Sequence, residues 1–372
     1  MNIAGTWLSA PGTQEVFARL NAYQAYAVGG CVRNDLLGVP VHDVDIATPA
    51  TPHQVIEACD GLKVVPTGID HGTVTVIAAG IPHEITTFRR DVETDGRRAT
   101  VAFGTDIAQD AARRDFTMNA LYANAAGEVI DPLGGLPDLR ARLVRFIGTP
   151  QARIQEDYLR ILRFFRFTAL YGDSLDAEGL AACAELGDGL SGLSRERVGH
   201  EIRKLLAAPD PAPAVAAMAQ AGLLQRILPG ADTRALAPLI HLETTPDWTV
   251  RLGTLGGDPS GLRLSKAEAK RLARLREAAT STQSPFALGY ELGAMDGLHA
   301  LTLRAALLEQ PMVTDGLADG AAATFPVKSA DLAPLTGPQL GAALATARAR
   351  WLASRGTLDA RALLNGLDTP KQ

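Results

Sequence analysis

Cysteine is scarce in this chain: Cys31, Cys59 and Cys183 lie far apart, with no C-x-x-C pair. That spacing argues against a disulfide framework or a zinc site and fits a reducing cytoplasm. Aromatic residues make up only 5% of the chain, and no strand carries the run of aromatics on which RNA bases stack in a recognition sheet. No apolar run approaches a membrane span, so no membrane partner is expected. Met1 to Thr13 lacks the basic start and long apolar stretch of a signal peptide. The seven histidines are scattered, so His42-Asp43 finds no companions for a histidine-based metal phosphohydrolase site. Net charge is −5 and there is no cationic tail, so any nucleic-acid binding must come from a local basic surface. No feature of the sequence predicts a protein partner.

What remains is an ordinary globular composition, 47% hydrophobic and 21% charged, in 372 residues, enough for two or more domains. Residues 25–147 alternate short strands and helices. Tyr26–Val28 is a brief strand, Val32–Leu37 a helix stopped by Gly38-Val39-Pro40, and Val44–Ala47 a second strand. Thr51 or Thr48 caps a helix through Cys59, with Pro52 in its first turn. Lys63–Val65, Thr73–Ile77 and His83–Thr87 read as three further strands, parted by turns at His71-Gly72 and Ala79-Gly80. Strands mixed with helices predict an α+β domain around a small mixed sheet. Beyond Pro150 the pattern is helical: Ile154–Tyr171, Ser194–Ala207, Pro211–Leu228, Lys266–Ala279, Leu298–Glu309 and Gly337–Arg355. The divisions fall at 1–147, 148–208 and 209–372.

Asp43-Val44-Asp45 stands thirteen residues past Gly29-Gly30. Carboxylates at i and i+2 of a strand share a face, while Val44 and Ile46 point into the core. Two like charges held that close call for a cation, and carboxylate oxygens suit Mg²⁺ shared with substrate phosphates. The Gly29-Gly30 turn lets backbone N–H groups approach phosphate oxygens. Together these suggest a site for a nucleoside triphosphate and its metal. Glu84, on the strand His83–Thr87, is a candidate third carboxylate or simply an exposed strand residue. Arg33 is placed either to reach the triphosphate with its planar fork or to pair with Asp35 on the surface.

Two charged clusters follow. In Arg113–Ala120, Arg114 suits a phosphate, Asp115 a ribose hydroxyl, and Asn119 lies one helical turn beyond Asp115. In Glu156–Arg166, a continuous helix sets Glu156, Arg160 and Arg163 within about 60° of one face, with Asp157 about 60° to the side. Seven arginines, three acids and no lysine occupy residues 138–166, a bias toward planar recognition rather than mere solubility. Asp157 and Arg160 match an amino group beside a ring-nitrogen acceptor, the edge shared by cytosine and adenine. Uracil and guanine would leave buried polar groups unpaired, at about 1–3 kcal/mol each.

Gly29–Arg33 with Asp43–Asp45, Arg113–Ala120, Asp131–Leu139, Glu156–Arg163 and Glu196–Glu201 resemble five ordered motifs of one family. It is the class II tRNA nucleotidyltransferases, the CCA-adding enzymes, and their relatives the bacterial poly(A) polymerases. The resemblance spans residues 24–206. It implies a nucleotidyltransferase palm as head (1–147), a helical neck with a base-selecting helix (148–208), and a helical body and tail that bind tRNA (209–372). It implies two Mg²⁺ ions on Asp43 and Asp45, and nucleotide contacts from Gly30, Arg33, Arg114 and Asp115. Base selection falls to Asp157 and Arg160, helped by Arg163 and Arg166, with CTP and ATP as substrates. Arg89–Gly104 resembles the family's flexible loop, and Glu196–Glu201 would brace the neck helices. One departure is Arg33-Asn34, where the family commonly has Arg-Asp.

The chemistry so implied is attack of a tRNA 3′ hydroxyl on the α-phosphorus, with loss of pyrophosphate, in the cytoplasm. A poly(A) polymerase, a CC-only or A-only enzyme and a non-catalytic RNA-binding protein remain alternatives. A dinucleotide-binding Rossmann site is poorer, because Gly29-Gly30 is not G-x-G-x-x-G.

Overall fold

The computed structural model describes residues 1–95 and 98–365, and of 90–102 the backbone only. The chain divides into two compact units, 1–227 and 228–372.

The first unit opens with α1 (Pro11–Arg19), β1 (Tyr26–Val28), α2 (Gly30–Leu37), β2 (Val44–Thr48) and α3 (Pro52–Ala58). Thr51 caps α3 in a reciprocal box with Gln54, as its position ahead of Pro52 predicts. Next come β3 (Lys63–Gly68), β4 (Thr73–Ala78), β5 (Ile81–Thr87), β6 (Arg89–Asp95), β7 (Arg98–Phe103), α4 (Ile107–Ala112), β8 (Tyr122–Ala123) and β9 (Val129–Ile130). Seven strands form one sheet in the order β3-β4-β5-β2-β1-β8-β9. The β2–β5 pair is parallel and its other pairs antiparallel, so the sheet is mixed as expected. Alternation along β2 buries Val44 and Ile46 and turns Asp45 to the opposite face.

The segment Arg89–Gly104, expected as a loop, is largely the antiparallel pair β6–β7. Gly96 and Arg97, within that stretch, lie outside the described residues.

Helices α5 (Leu136–Arg140), α6 (Pro150–Glu156), α7 (Leu159–Tyr171), α8 (Ala177–Glu185), α9 (Arg195–Leu206), α10 (Ala212–Gln220) and α11 (Leu224–Ile227) complete this unit. Two single helices expected from the sequence are each two. Asp157 is extended (φ −157°, ψ 105°) and its side chain accepts from the Leu159 N–H, which ends α6 and starts α7. Gly222, at φ +71°, parts α10 from α11. Phe116, Phe146, Phe164 and Phe167 pack ring to ring, fastening α7 to the segments at 116 and 146. A continuous run of apolar positions hides a break held by one carboxylate, because periodicity reports faces and not caps.

The second unit is helical: α12 (Leu236–Leu242), α13 (Trp248–Leu255), α14 (Lys266–Thr280), α15 (Pro285–Leu308), α16 (Leu317–Ala322), α17 (Gly337–Ala353) and α18 (Ala360–Leu364). Pro238 is tolerated in α12 because it falls in the first turn, where backbone N–H groups have no helical partner. Helix α15 is longer than its periodicity suggests and is interrupted at Gly293 (φ 80°, ψ 172°). Its core gathers Leu239, Val250, Leu275, Leu288 and Leu303, and a second cluster surrounds Trp351. No helix among the described residues is long and apolar enough to cross a membrane.

Candidate active site

The Gly29-Gly30 turn links β1 to α2. Gly29 sits at φ +70°, ψ −114°, and a side chain there would also stand 3.5 Å from Arg114 Nη1. Beside it, β2 carries Asp45, and exposed Asp43 directly precedes the strand. In the parallel register Asp45 lies against Glu84 of β5. The three carboxylates do not close into a compact metal cluster: no group of three or more His, Cys, Asp or Glu side chains suited to an ion occurs among the described residues.

Asp45 nevertheless reports the field there. Burial, then Glu84 and Asp43, push its carboxyl up to about 6, against the pull of Arg114 and Arg33. A carboxylate so short of positive charge fits a divalent cation, with oxygen donors of the right hardness. Behind the turn, burial together with Asp45 drives the Cys31 thiol up to about 12, which leaves it inert.

Arg33 is buried, and the alternative surface pair with Asp35 does not form; Asp35 accepts from the Trp7 indole at 2.6 Å. The Arg33 guanidinium donates to Asn119 Oδ1 (2.5 Å), Asn34 Oδ1 and the Tyr171 hydroxyl (2.8 Å), with the Tyr171 ring 4.0 Å away. Asn119 does reach Asp115, donating from Nδ2 at 2.9 Å, but from a single 3-10 turn at Thr117–Asn119 rather than an α-helix.

Asp115 is held by the Phe116 N–H and by both donors of Arg163. Burial opposes its charge, but Arg163 and Asn119 outweigh that and hold the carboxyl below its usual range. Arg114 is gripped by Asp110 and by the hydroxyl of Tyr122, which itself donates to Asp110 at 2.7 Å. Burial works against the Arg114 charge, and Tyr122 and Asp110 overcome it. Asp110, fully buried, also accepts from Arg113. Sequence reasoning missed Asp110, although its i+3 and i+4 spacing to Arg113 and Arg114 was there to find.

The helix break re-aims the two proposed base-reading groups. Asp157 Oδ2 accepts from Arg197 Nη2 at 2.6 Å. Arg160 is tied to Glu156 (2.5 Å), the Arg153 carbonyl and the Arg113 carbonyl (3.1 Å). Arg166 of α7 pairs with Glu201 of α9 at 2.6 Å, both largely buried, as the bracing role of that motif implies. The structure therefore brings Gly29, Gly30, Arg33, Asn119, Asp115 and Arg163 into one contact chain beside Asp45 and Arg114.

This is the frame of a nucleotidyltransferase head on a helical support. The sequence profile of the poly A polymerase head domain matches residues 25–145, and that of the probable RNA and SrmB-binding site of polymerase A matches 174–234. The chain is 42% identical over 205 residues to the CCA-adding enzyme of Anoxybacillus flavithermus, covering 55% of this chain and 51% of that one. It is 44% identical over 201 residues to the human mitochondrial CCA tRNA nucleotidyltransferase 1, covering 52% and 45%. The fold is similar to the crystal structure of the Bacillus stearothermophilus CCA-adding enzyme in complex with CTP, at TM-score 0.73 and 27% identity over 92% of each chain. Over these residues the chain is similar to CCA-adding enzymes and to the head and RNA-binding domains of poly A polymerases. The matched region spans about half the length of the curated relatives.

Proposed function

We propose that this chain is a template-independent CCA tRNA nucleotidyltransferase, adding C, C and A to the tRNA 3′ end from CTP and ATP and releasing pyrophosphate. The observation that carries the reading is Asp45, a half-buried carboxylate short of positive charge, set beside the Gly29-Gly30 turn with Asp43 and Arg114. Two Mg²⁺ ions held by Asp43 and Asp45 would lower the pKa of the attacking hydroxyl and steady the leaving oxygens. Glu84 adds negative potential to that face. The turn and the cations Arg33 and Arg114 orient the triphosphate, and Asp115 and Asn119 sit where a ribose is held. Asp157, at the α6–α7 break, and Arg160, on the α7 helix that Arg163 and Arg166 anchor, would read the amino-plus-acceptor edge of cytosine or adenine. Residues 1–147 act as head, 148–208 as neck, and 209–372 as body and tail binding the tRNA backbone. The three buried, unpaired cysteines suit a cytoplasmic enzyme.

The test is incubation of the full chain with Mg²⁺, a tRNA lacking its 3′ CCA, and each nucleoside triphosphate alone and in pairs, followed by sequencing of the products. CCA ends from CTP plus ATP are expected. Runs of A, or products stopping at CC or adding A alone, would replace this reading with the neighbouring activities, and unaltered tRNA would end it.

A further inference from the structure

The Arg33 guanidinium is held by neutral groups alone among the described residues. Asn34 Oδ1 accepts from Nε and Nη2, Asn119 Oδ1 from Nη1, and the Tyr171 hydroxyl from Nη2. The Tyr171 ring lies 4.0 Å from the guanidinium carbon and the Phe167 ring 5.2 Å. No carboxylate forms an ion pair with Arg33 within that set; the nearby charge of Asp115 is matched by Arg163. Asn34 is itself anchored, donating from Nδ2 to the Pro40 carbonyl at 3.0 Å, a bond a carboxylate could not make. Four of the five guanidinium N–H groups are thereby used, and one on Nη1 has no protein acceptor among the described residues. The guanidinium also lies at the turn: a side-chain carbon on Gly30 would stand 3.9 Å from Nη2.

A carboxylate partner offsets part of an arginine's field, although the guanidinium stays protonated. An arginine fixed by an amide, a phenol and a ring face keeps that field and loses only its freedom to move. We propose that Tyr171, at the C-terminal end of α7, is a positioning residue for nucleotide binding: with Asn34 it pins Arg33 at the Gly29-Gly30 turn while leaving its full charge for a triphosphate. This rests on the nucleotide-binding reading above and adds to it a residue outside the motifs. Because Tyr171 touches Arg33 and not the base-reading pair, its effect is on affinity for the polyphosphate, whichever base is attached.

The test is calorimetric titration of the full chain with CTP, ATP and inorganic tripolyphosphate in Mg²⁺, for wild type, Tyr171→Phe, Tyr171→Leu and Asn34→Asp. Tyr171→Phe keeps the ring and loses the hydroxyl; a three- to tenfold loss of affinity for all three ligands is expected, on the order of one net hydrogen bond. Tyr171→Leu should lose more. Asn34→Asp should weaken tripolyphosphate binding because the added carboxylate then offsets part of the guanidinium's field. In steady-state assays KM should rise while kcat and the CTP-to-ATP ratio hold. Wild-type affinity in both Tyr171 variants, or losses that merely follow a falling Tm, would overturn the proposal. Failure of the wild-type protein to bind CTP or tripolyphosphate would instead overturn the nucleotide reading, and this inference with it.

Discussion

Arg163 donates with both Nε and Nη2 to one oxygen of Asp115, 48 residues earlier in the chain. This contact fastens α7, which carries Arg160, to the turn that holds Asn119 and, through it, Arg33. Asp115 is nearly inaccessible, so its charge is tolerable only while Arg163 answers it.

Arg163→Ala should therefore cost about 3–5 kcal/mol of folding stability, the usual penalty for stranding a buried charge, measured by urea unfolding. The pH dependence has a definite sign. Asp115 and Asp110 both titrate below the ordinary range when folded. Their contribution is complete above the unfolded value of about 4 and is lost as pH falls through the lower native values. Arg163→Ala should flatten the acid limb of stability below about pH 4 relative to wild type.

Asp43→Ala is expected to abolish nucleotide addition while leaving circular dichroism and tRNA binding close to wild type. Retained activity would remove the metal assignment.

Asp45→Asn should separate stability from function. The charged side chain is held in place against burial and against Glu84 and Asp43. Neutralising it should raise Tm by a few degrees in magnesium-free buffer at neutral pH, on the order of 1 kcal/mol for a domain this size, and eliminate addition. A lower Tm would show that the carboxylate is structurally required.

Arg197→Met addresses base choice. The pair with Asp157 is partly exposed, 41% and 30% by side chain, so its loss should move stability by about 1 kcal/mol or less. Discrimination of CTP and ATP against UTP and GTP should nevertheless relax, since Asp157 loses the partner that aims it. Unchanged nucleotide selectivity in primer-extension assays would assign Arg197 to surface charge alone.

Arg166→Ala removes the answer to Glu201 across α7 and α9. The loss expected is about 3–5 kcal/mol, with Arg166→Lys restoring part of it, read by urea unfolding.

The strands from Tyr26 to Thr87 are legible because each contains a short run of β-prone residues near glycine, proline or a capping threonine. Of the acid pair read as one face of a strand, only Asp45 lies on β2, while Asp43 directly precedes it. The α6–α7 junction is not legible, because a two-residue break between helices of the same polarity leaves the apolar rhythm nearly intact. Strands β8 and β9 escape because two residues are too few to show a period, and helix α1 because it opens on Pro11-Gly12-Thr13, which carry weak helix preference.

Local chemistry along the chain sufficed to choose the ingredients of this protein: an acid pair at the start of a strand, a glycine turn, and clustered arginines. Which arginine faces which partner came from long-range packing. Arg33 on Tyr171, Arg163 on Asp115 and Arg197 on Asp157 each join residues 40 or more positions apart. A guanidinium on a long, flexible stem has many possible partners in sequence, and folding leaves it one.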